Sequence, residues 1–378
     1  MKIFSLLALS FSATLISSCS SVPTSNYTVI KSTHLKLKGP VPSVGNTISG
    51  QKISLGGFSG LMLKENPNPN KDELILETIT DRGPNGYLTN NKERPFLLPE
   101  FPPQILSLRV NLKDNNFEVT NILKLQKKNG KPLTGLPNKR NEENPIDVMG
   151  FMYSLDQDGI DSEALVSDDE GGYWVGEEYS PSLVHFDKHG KMLRRLTPFN
   201  ELPKMYSERK SNRGFEGIAK DKNKIFGFLQ SPLPMDQNFA RIVEVDLDTL
   251  KTSGEYYYGF EKNLDKIGDA VSIGNNKFLV IEQNGMKGPD SRKYIFKITL
   301  NGTDNLVKKE LLADLGTTPF KSLEKIEGLA VIDSRKIALV NDNDFQINGP
   351  TDTITGFTPI NNDLNEMLIL EFSQDITK

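Results

Sequence analysis

Apolar positions in this chain come in runs of four to six residues, rich in Ile, Val, Phe and Tyr and separated by Gly, Pro, Asn and Asp. Runs at 74–79, 105–110, 173–176, 225–229, 242–245, 278–281, 294–298, 337–340 and 367–372 read as strands. Asp187-Lys188-His189-Gly190 and Gly274-Asn275-Asn276 supply the turn chemistry between such runs. No amphipathic helix longer than about three turns is present, and residues 322–325 are at most one turn. The pattern predicts an all-β fold.

The runs recur. An acidic or small residue, then Gly or Ala, then an aliphatic residue opens a strand at Ser59-Gly60-Leu61, Glu163-Ala164-Leu165, Glu216-Gly217-Ile218, Asp269-Ala270-Val271 and Glu327-Gly328-Leu329. These starts are separated by 104, 53, 53 and 58 residues. Counting the first interval as two units, with its missing marker near 108–111, and the 51 residues after 327 as one more makes six units. A unit of about 50 residues holding four strands is the size of a propeller blade. The expectation is a six-bladed β-propeller, closed by residues 27–37 pairing with the last blade so that both sheet edges are hidden. Chance similarity in a glycine-rich β protein is the alternative.

The first residues add a destination. Lys2, an apolar stretch over 3–16 and Ile16-Ser17-Ser18-Cys19 have the layout of a secretion signal ending in a lipobox. Cys19 is the only cysteine, so an exported chain has no internal disulfide to make. An ordinary signal peptide with an incidental cysteine is the alternative. The expected organisation is a signal peptide at 1–18, a lipidated (palmitate-bearing) tether at 19–26 and one propeller domain at 27–378. Ser20, in place of aspartate, points to the outer membrane of a Gram-negative envelope, facing the periplasm or exterior. Loss of residues 1–18 removes only Lys2 from the charge balance of −4. That mildly acidic balance, with no basic tract, argues against nucleic acid as a partner. The expected body is a monomer touching membrane through its lipid anchor alone.

A second acidic position follows the markers at the end of the next strand, as Asp81, Glu178, Glu282 and Asp342, with Gln230 at the matching place in one unit. Carboxylates at the ends of inner strands converge on a channel mouth. The candidates are Asp81, Glu163, Glu178, Glu216, Glu282, Glu327 and Asp342, with Asp168, Asp169, Glu170, Glu177 and Asp344 nearby. Crowded carboxylates raise one another's pKa unless a cation compensates, and hard oxygen donors in an exported protein suit Ca²⁺. Arg82 and Arg213 offer internal countercharge or a clamp for an anion. Solvated loop acids and strand caps are the competing explanation.

Other chemistries find little support. Gly57-Phe58-Ser59-Gly60 lacks the spacing of a nucleophile elbow; His34, His185 and His189 are the whole histidine supply, and the last two flank a turn, which argues against a His-rich zinc site. Asp168-Asp169-Glu170-Gly171-Gly172 reads as a turn into a strand, and Trp174 as packing between blades.

Thr80-Asp81-Arg82-Gly83-Pro84-Asn85-Gly86, Trp174-Val175-Gly176-Glu177-Glu178-Tyr179-Ser180-Pro181-Ser182, Asn212-Arg213-Gly214-Phe215-Glu216-Gly217-Ile218-Ala219 and Glu327-Gly328-Leu329-Ala330 resemble the phytase-like family, "esterase-like activity of phytase", of exported bacterial proteins. The resemblance runs from about Phe58 to Phe372. It implies a propeller, export, and hydrolysis of phosphate or carboxylic esters. By motif it singles out Asp81, Arg82, Glu178, Arg213, Glu216, Glu282 and Glu327.

Three functional readings follow. In the first, a metal-dependent ester hydrolase acts on a small anionic ester, with Glu178, Glu216 and Glu327 as Ca²⁺ ligands. Asp81 or Glu282 then orients water, and Arg213 or Arg82 clamps the anion. In the second, a non-catalytic propeller binds a ligand or an envelope partner. In the third, a lactonase-like propeller holds one Ca²⁺ through Glu178 or Glu327, Asn284 and Asp342.

Overall fold

The computed structural model describes residues 24–65, 72–138, 143–300 and 305–378. The signal segment, Cys19 and the first part of the tether therefore lie outside the described residues.

Short apolar runs joined by tight turns can only bury themselves as antiparallel meanders, and that is what forms. The second, third and fourth blades each hold four strands in chain order. The second, for example, runs Ser162–Ser167, Tyr173–Glu177, Ser182–Phe186 and Met192–Leu196. Predicted turns appear where their residues require them. Gly274, Asn275 and Asn276 all take left-handed φ between their two strands. Asp187 Oδ1 accepts from the His189 and Lys191 amides ahead of a left-handed Gly190.

Closure follows the expectation. Val29–Leu37 pairs antiparallel with Glu366–Phe372 and becomes the fourth strand of the last blade. Its end also pairs in parallel with the first blade, Lys36 opposite Asn116 and Leu37 opposite Phe117, which fuses two blades into one eight-stranded sheet. That parallel pairing covers only the first two positions of Asn116–Lys124, so the seam is only partly sealed.

The all-β propeller is thus present, with the described strands distributed over six sheets. The blade count comes from their connectivity. The innermost strands are Phe58–Glu65, Ser162–Ser167, Phe215–Asp221, Lys266–Gly274 and Lys325–Asp333. Met62, Val166, Lys220, Val271 and Val331, one from each, line the same opening at the far end of the axis. Five apolar cores fill the junctions between neighbouring blades. Five four-stranded units surround the axis, and with the two small paired sheets the described strands form the six sheets of the expected propeller. Residues 108–111, where the marker of the long first interval is missing, belong to Gln104–Asn111, the third strand of the first blade. The rest of that long interval is a connection carrying the small parallel pair Glu93–Pro95 and Asn144–Ile146.

The junctions show why the repeat needs small residues beside bulky ones. Phe226 and Phe278 meet edge to face at 4.8 Å across the third and fourth blades, a contact worth roughly 1 kcal/mol beyond its buried area. Trp174 lies in the core between the second and third blades and stacks on His185 at 4.4 Å. Packing between blades, not ligand stacking, is its role.

Candidate functional site: a buried carboxylate mouth

Each innermost strand carries a β-bulge near its start. The register slips between Ser59 and Leu61, Ser162 and Ala164, Phe215 and Gly217, Ile267 and Asp269, and Ile326 and Gly328. The extra residue in each case is Gly60, Glu163, Glu216, Gly268 or Glu327. A bulged residue leaves the ladder and re-aims its side chain, so three blades send a glutamate to the axis and two send none. The glycine after the glutamate has a physical cause as well. A Cβ on Gly217 would stand 2.8 Å from the Ala270 nitrogen, and one on Gly328 would stand 2.9 Å from Leu61 Cβ.

Around this axis the acids form groups whose ligand oxygens all lie within 4.8 Å of one another: Glu163 with Glu216 and Glu327, and Glu163 again with Asp161 and Glu178. Asp81, Asp342 and Asp344 form a third group. All but Asp344 are buried. Asp161 Oδ2, Glu178 Oε1 and Glu216 Oε2 are buried without a hydrogen-bond partner. Asp161 Oδ2 still faces the Arg82 guanidinium at 3.3 Å and Glu178 Oε1 faces Arg213 at 3.9 Å, which leaves Glu216 Oε2 bare, and a bare buried oxygen is costly.

The electrostatics agree. Burial, reinforced by Asp161 and Glu216, raises the Glu163 carboxyl well above its ordinary value. Burial followed by Glu327 does the same to Glu216, against the Gln230 amide. Glu178 is pushed up to about 7 by burial and by Asp161, with Arg213, Arg82 and Lys325 pulling the other way. Asp81 is raised by burial and by Asp342. Asp344 moves down despite burial, because the Lys325 ammonium lies 2.5 Å from it. Lys325 also holds Asp342 at 2.8 Å, so this third group carries its own cation.

The sequence candidates divide accordingly. Glu178, Glu216 and Glu327 meet at the mouth, together with Glu163, and Asp81 and Asp342 lie beside Lys325 on its border. Arg82 is spent, with its guanidinium buried 3.0 Å from Glu143 and 3.3 Å from Asp161. Arg94 ties the same Glu143 at 2.6 Å. Arg213 is half-buried, its carboxylate contact to Glu178 a loose 3.9 Å. Gly214 makes that approach possible, since a Cβ there would stand 2.4 Å from the Glu178 carbonyl.

Glu282 does not join the group. It accepts from the Tyr258 hydroxyl, the Glu261 amide and Lys309. Its register partner is Ile267, where the partner of Ser162 is Glu177, so side-chain alternation turns it to the opposite face from Glu178. Asp269 likewise sits one place beyond the bulge and accepts from the Ala270 and Leu329 amides, pinning two blades together. Asn284 binds the Met286 and Arg292 amides and the Asp290 carbonyl of its own loop, leaving the lactonase ligand set without its amide. Asp168 caps the predicted turn and bonds His185 at 2.7 Å.

Two mouth residues escaped the sequence reading, Asp161 and Lys325. Both stand two places before a bulged glutamate, a shared offset that strand periodicity could have revealed.

The family model described as "Esterase-like activity of phytase", phytase-like, matches residues 53–345. An uncharacterized secreted protein of Arthroderma benhamiae is 26% identical over 287 residues, covering 58% of this chain and 54% of that protein. The alignment thus spans about half the length of this curated relative. Among solved structures, a protein of unknown function from Dyadobacter fermentans aligns over 91% of this chain and 99% of its own at TM-score 0.44 and 10% identity. The catalytic domain of a Coprinopsis cinerea GH62 α-L-arabinofuranosidase aligns over 90% and 98% at TM-score 0.44 and 9% identity. Likeness of this degree carries no argument about chemistry.

Proposed function

This chain belongs to the phytase-like, esterase-like-activity-of-phytase family, and from that premise we propose that it is an exported, Cys19-lipidated hydrolase of small anionic esters that works with a divalent cation at the carboxylate mouth. The observation that carries the reading is the bare buried Glu216 Oε2, inside a group of carboxylates at ligand spacing. The donor set fits a hard cation, being oxygen throughout and drawn from several blades. Glu163, Glu178, Glu216, Glu327 and Asp161 are the residues to hold it. A divalent ion in such a place polarises an ester oxygen and makes bound water acidic.

The chain's own groups do the rest. Arg213, the one arginine of the pair still open to solvent, receives the anionic group, which Arg82 cannot do while held by Glu143 and Asp161. Asp81, raised by burial and by Asp342, orients or donates a proton beside the mouth. Glu282 has no part in this scheme.

Calorimetry with Ca²⁺ on purified protein and on Glu216→Gln, beside release of p-nitrophenol from phosphate and acetate esters with Ca²⁺ or EDTA, tests it. The proposal expects saturable Ca²⁺ binding that Glu216→Gln weakens, and hydrolysis that EDTA abolishes. Absence of both binding and hydrolysis sinks it. The Lys325 and Arg82 countercharges favour a second reading, a propeller that binds without cleaving. Cation binding with no turnover on any ester is its signature.

A further inference from the structure

Beside the mouth, between the third and fourth blades, lies an open cleft of about 600 Å³. Its walls carry Lys210, Arg213 and Lys262, and its floor is Pro232, Phe260 and Leu264. Lys210 and Lys262 are exposed and have no carboxylate partner among the described residues. Of the two acids on the wall, Glu261 is already paired with Lys309 at 3.2 Å, which leaves Asp265 facing three cations. The Ser231 hydroxyl lines the same cleft, buried and without a hydrogen-bond partner. Three cations against one unpaired acid, a bare buried donor and apolar residues in the lining together describe a receptor for an anionic group on a partly apolar body.

Arg213 joins the two places, since it lines the cleft and stands 3.9 Å from Glu178. We propose that this cleft is a separate oxyanion subsite, taking a phosphate-like group of a ligand through Lys210, Lys262, Arg213 and the Ser231 hydroxyl. It leans on the proposed hydrolase only in taking that group to be the far end of the same ligand. The anion is bound here by the chain itself, with no cation required. Phe260 packs at 5.6 Å against Tyr258, which presents it as a fixed wall instead of a mobile side chain. A ligand with a ring or short aliphatic body beside its anion suits that wall.

The test is calorimetric titration of inorganic phosphate into the whole protein in EDTA, which keeps the carboxylate mouth out of the measurement. Lys210→Ala/Lys262→Ala is compared with Lys31→Ala/Lys113→Ala, which removes the same charge from a groove of equal size at the seam of the first and last blades. All four lysines are exposed, so neither pair threatens folding. The cleft pair is expected to weaken phosphate by about tenfold or more, and the seam pair by less than about twofold. No saturable binding up to about 10 mM phosphate overturns the proposal, as does equal weakening by both pairs, which reports net charge alone. Because no cation takes part, failure here leaves the carboxylate reading standing, and loss of Ca²⁺ binding leaves the cleft standing.

Discussion

Replacing Glu178 by glutamine should stabilise the cation-free protein at alkaline pH, although Glu178 is a proposed ligand. Its carboxyl titrates near 7 because it is buried beside Asp161. Moving a carboxyl from its ordinary 4.5 to about 7 is worth about 3 kcal/mol. The folded state then keeps a proton that the unfolded chain has lost. Stability from this group is complete below about pH 4.5 and drains away as pH rises through about 7. Glutamine has the same shape and cannot ionise. Relieved of a neighbouring charge, the Glu163 and Glu216 carboxyls come down toward their ordinary range, which adds to the variant's stability, while the loose Arg213 contact contributes little because it faces solvent. Glu178→Gln should therefore exceed the wild type by roughly 2–3 kcal/mol near pH 8 in EDTA and match it near pH 4. Guanidinium denaturation across that range measures the difference. Saturating Ca²⁺, at about a hundred times its Kd, should return about 2.7 kcal/mol to the wild type and little to the variant. Parallel loss of stability by the two proteins between about pH 5 and 8 without cation would mean that the Glu178 carboxyl is not raised by its burial.

Arg82→Met should cost about 3–5 kcal/mol in denaturation, because it strands Asp161 and Glu143 in the interior. Arg213→Ala, in contrast, should leave stability within about 0.5 kcal/mol and lower kcat/KM on anionic esters only. Glu282→Gln should lower stability by about 2 kcal/mol through Lys309 and Tyr258 while leaving Ca²⁺ affinity within about twofold; a tenfold loss of Ca²⁺ affinity returns Glu282 to the mouth. Gly328→Val should collapse soluble yield and melting temperature, since its Cβ meets Val340 at 2.5 Å and Leu61 at 2.9 Å where the last blade meets the first.

The repeat was legible because each blade must open with the same device, a side chain at the axis followed by a residue small enough for the next blade to pass. What the letters hide is the bulge. Asp269 shares its spelling with Glu216, yet the extra residue in that strand is Gly268, so the aspartate lands one place on and caps backbone amides instead. Glu282 fails for the same reason, since one step along a strand reverses the face. Leu108–Val110 has the composition of an inner strand but lies third in its sheet. Nothing local marks that difference, which depends on the order of hydrogen bonding. Glu143 was beyond reach for another reason. It comes from a long connection, and only the folded chain brings it to Arg82 and Arg94.

The mouth also cannot be fully charged and empty at once. With Glu163, Glu216 and Glu327 within 4.8 Å of one another, each ionised pair repels by about 3.5 kcal/mol at an effective dielectric constant of 20, about 10 kcal/mol for three pairs. That rivals the whole net stability of an ordinary domain. The glycines at 60 and 268 leave room for the three to meet, and Lys325 and Arg82 form their ion pairs with Asp342, Asp344, Asp161 and Glu143 instead of with these three. Either protons or a cation must therefore occupy the centre near neutral pH, and a cation must displace the protons it replaces. Ca²⁺ titrated near pH 6 in two buffers of different ionisation enthalpy should give heats differing by at least one proton per ion bound. Equal heats would mean that the carboxylates are already ionised in the free protein, and that countercharge from Lys325, Arg82 and Arg213 reaches further into the mouth than their distances allow.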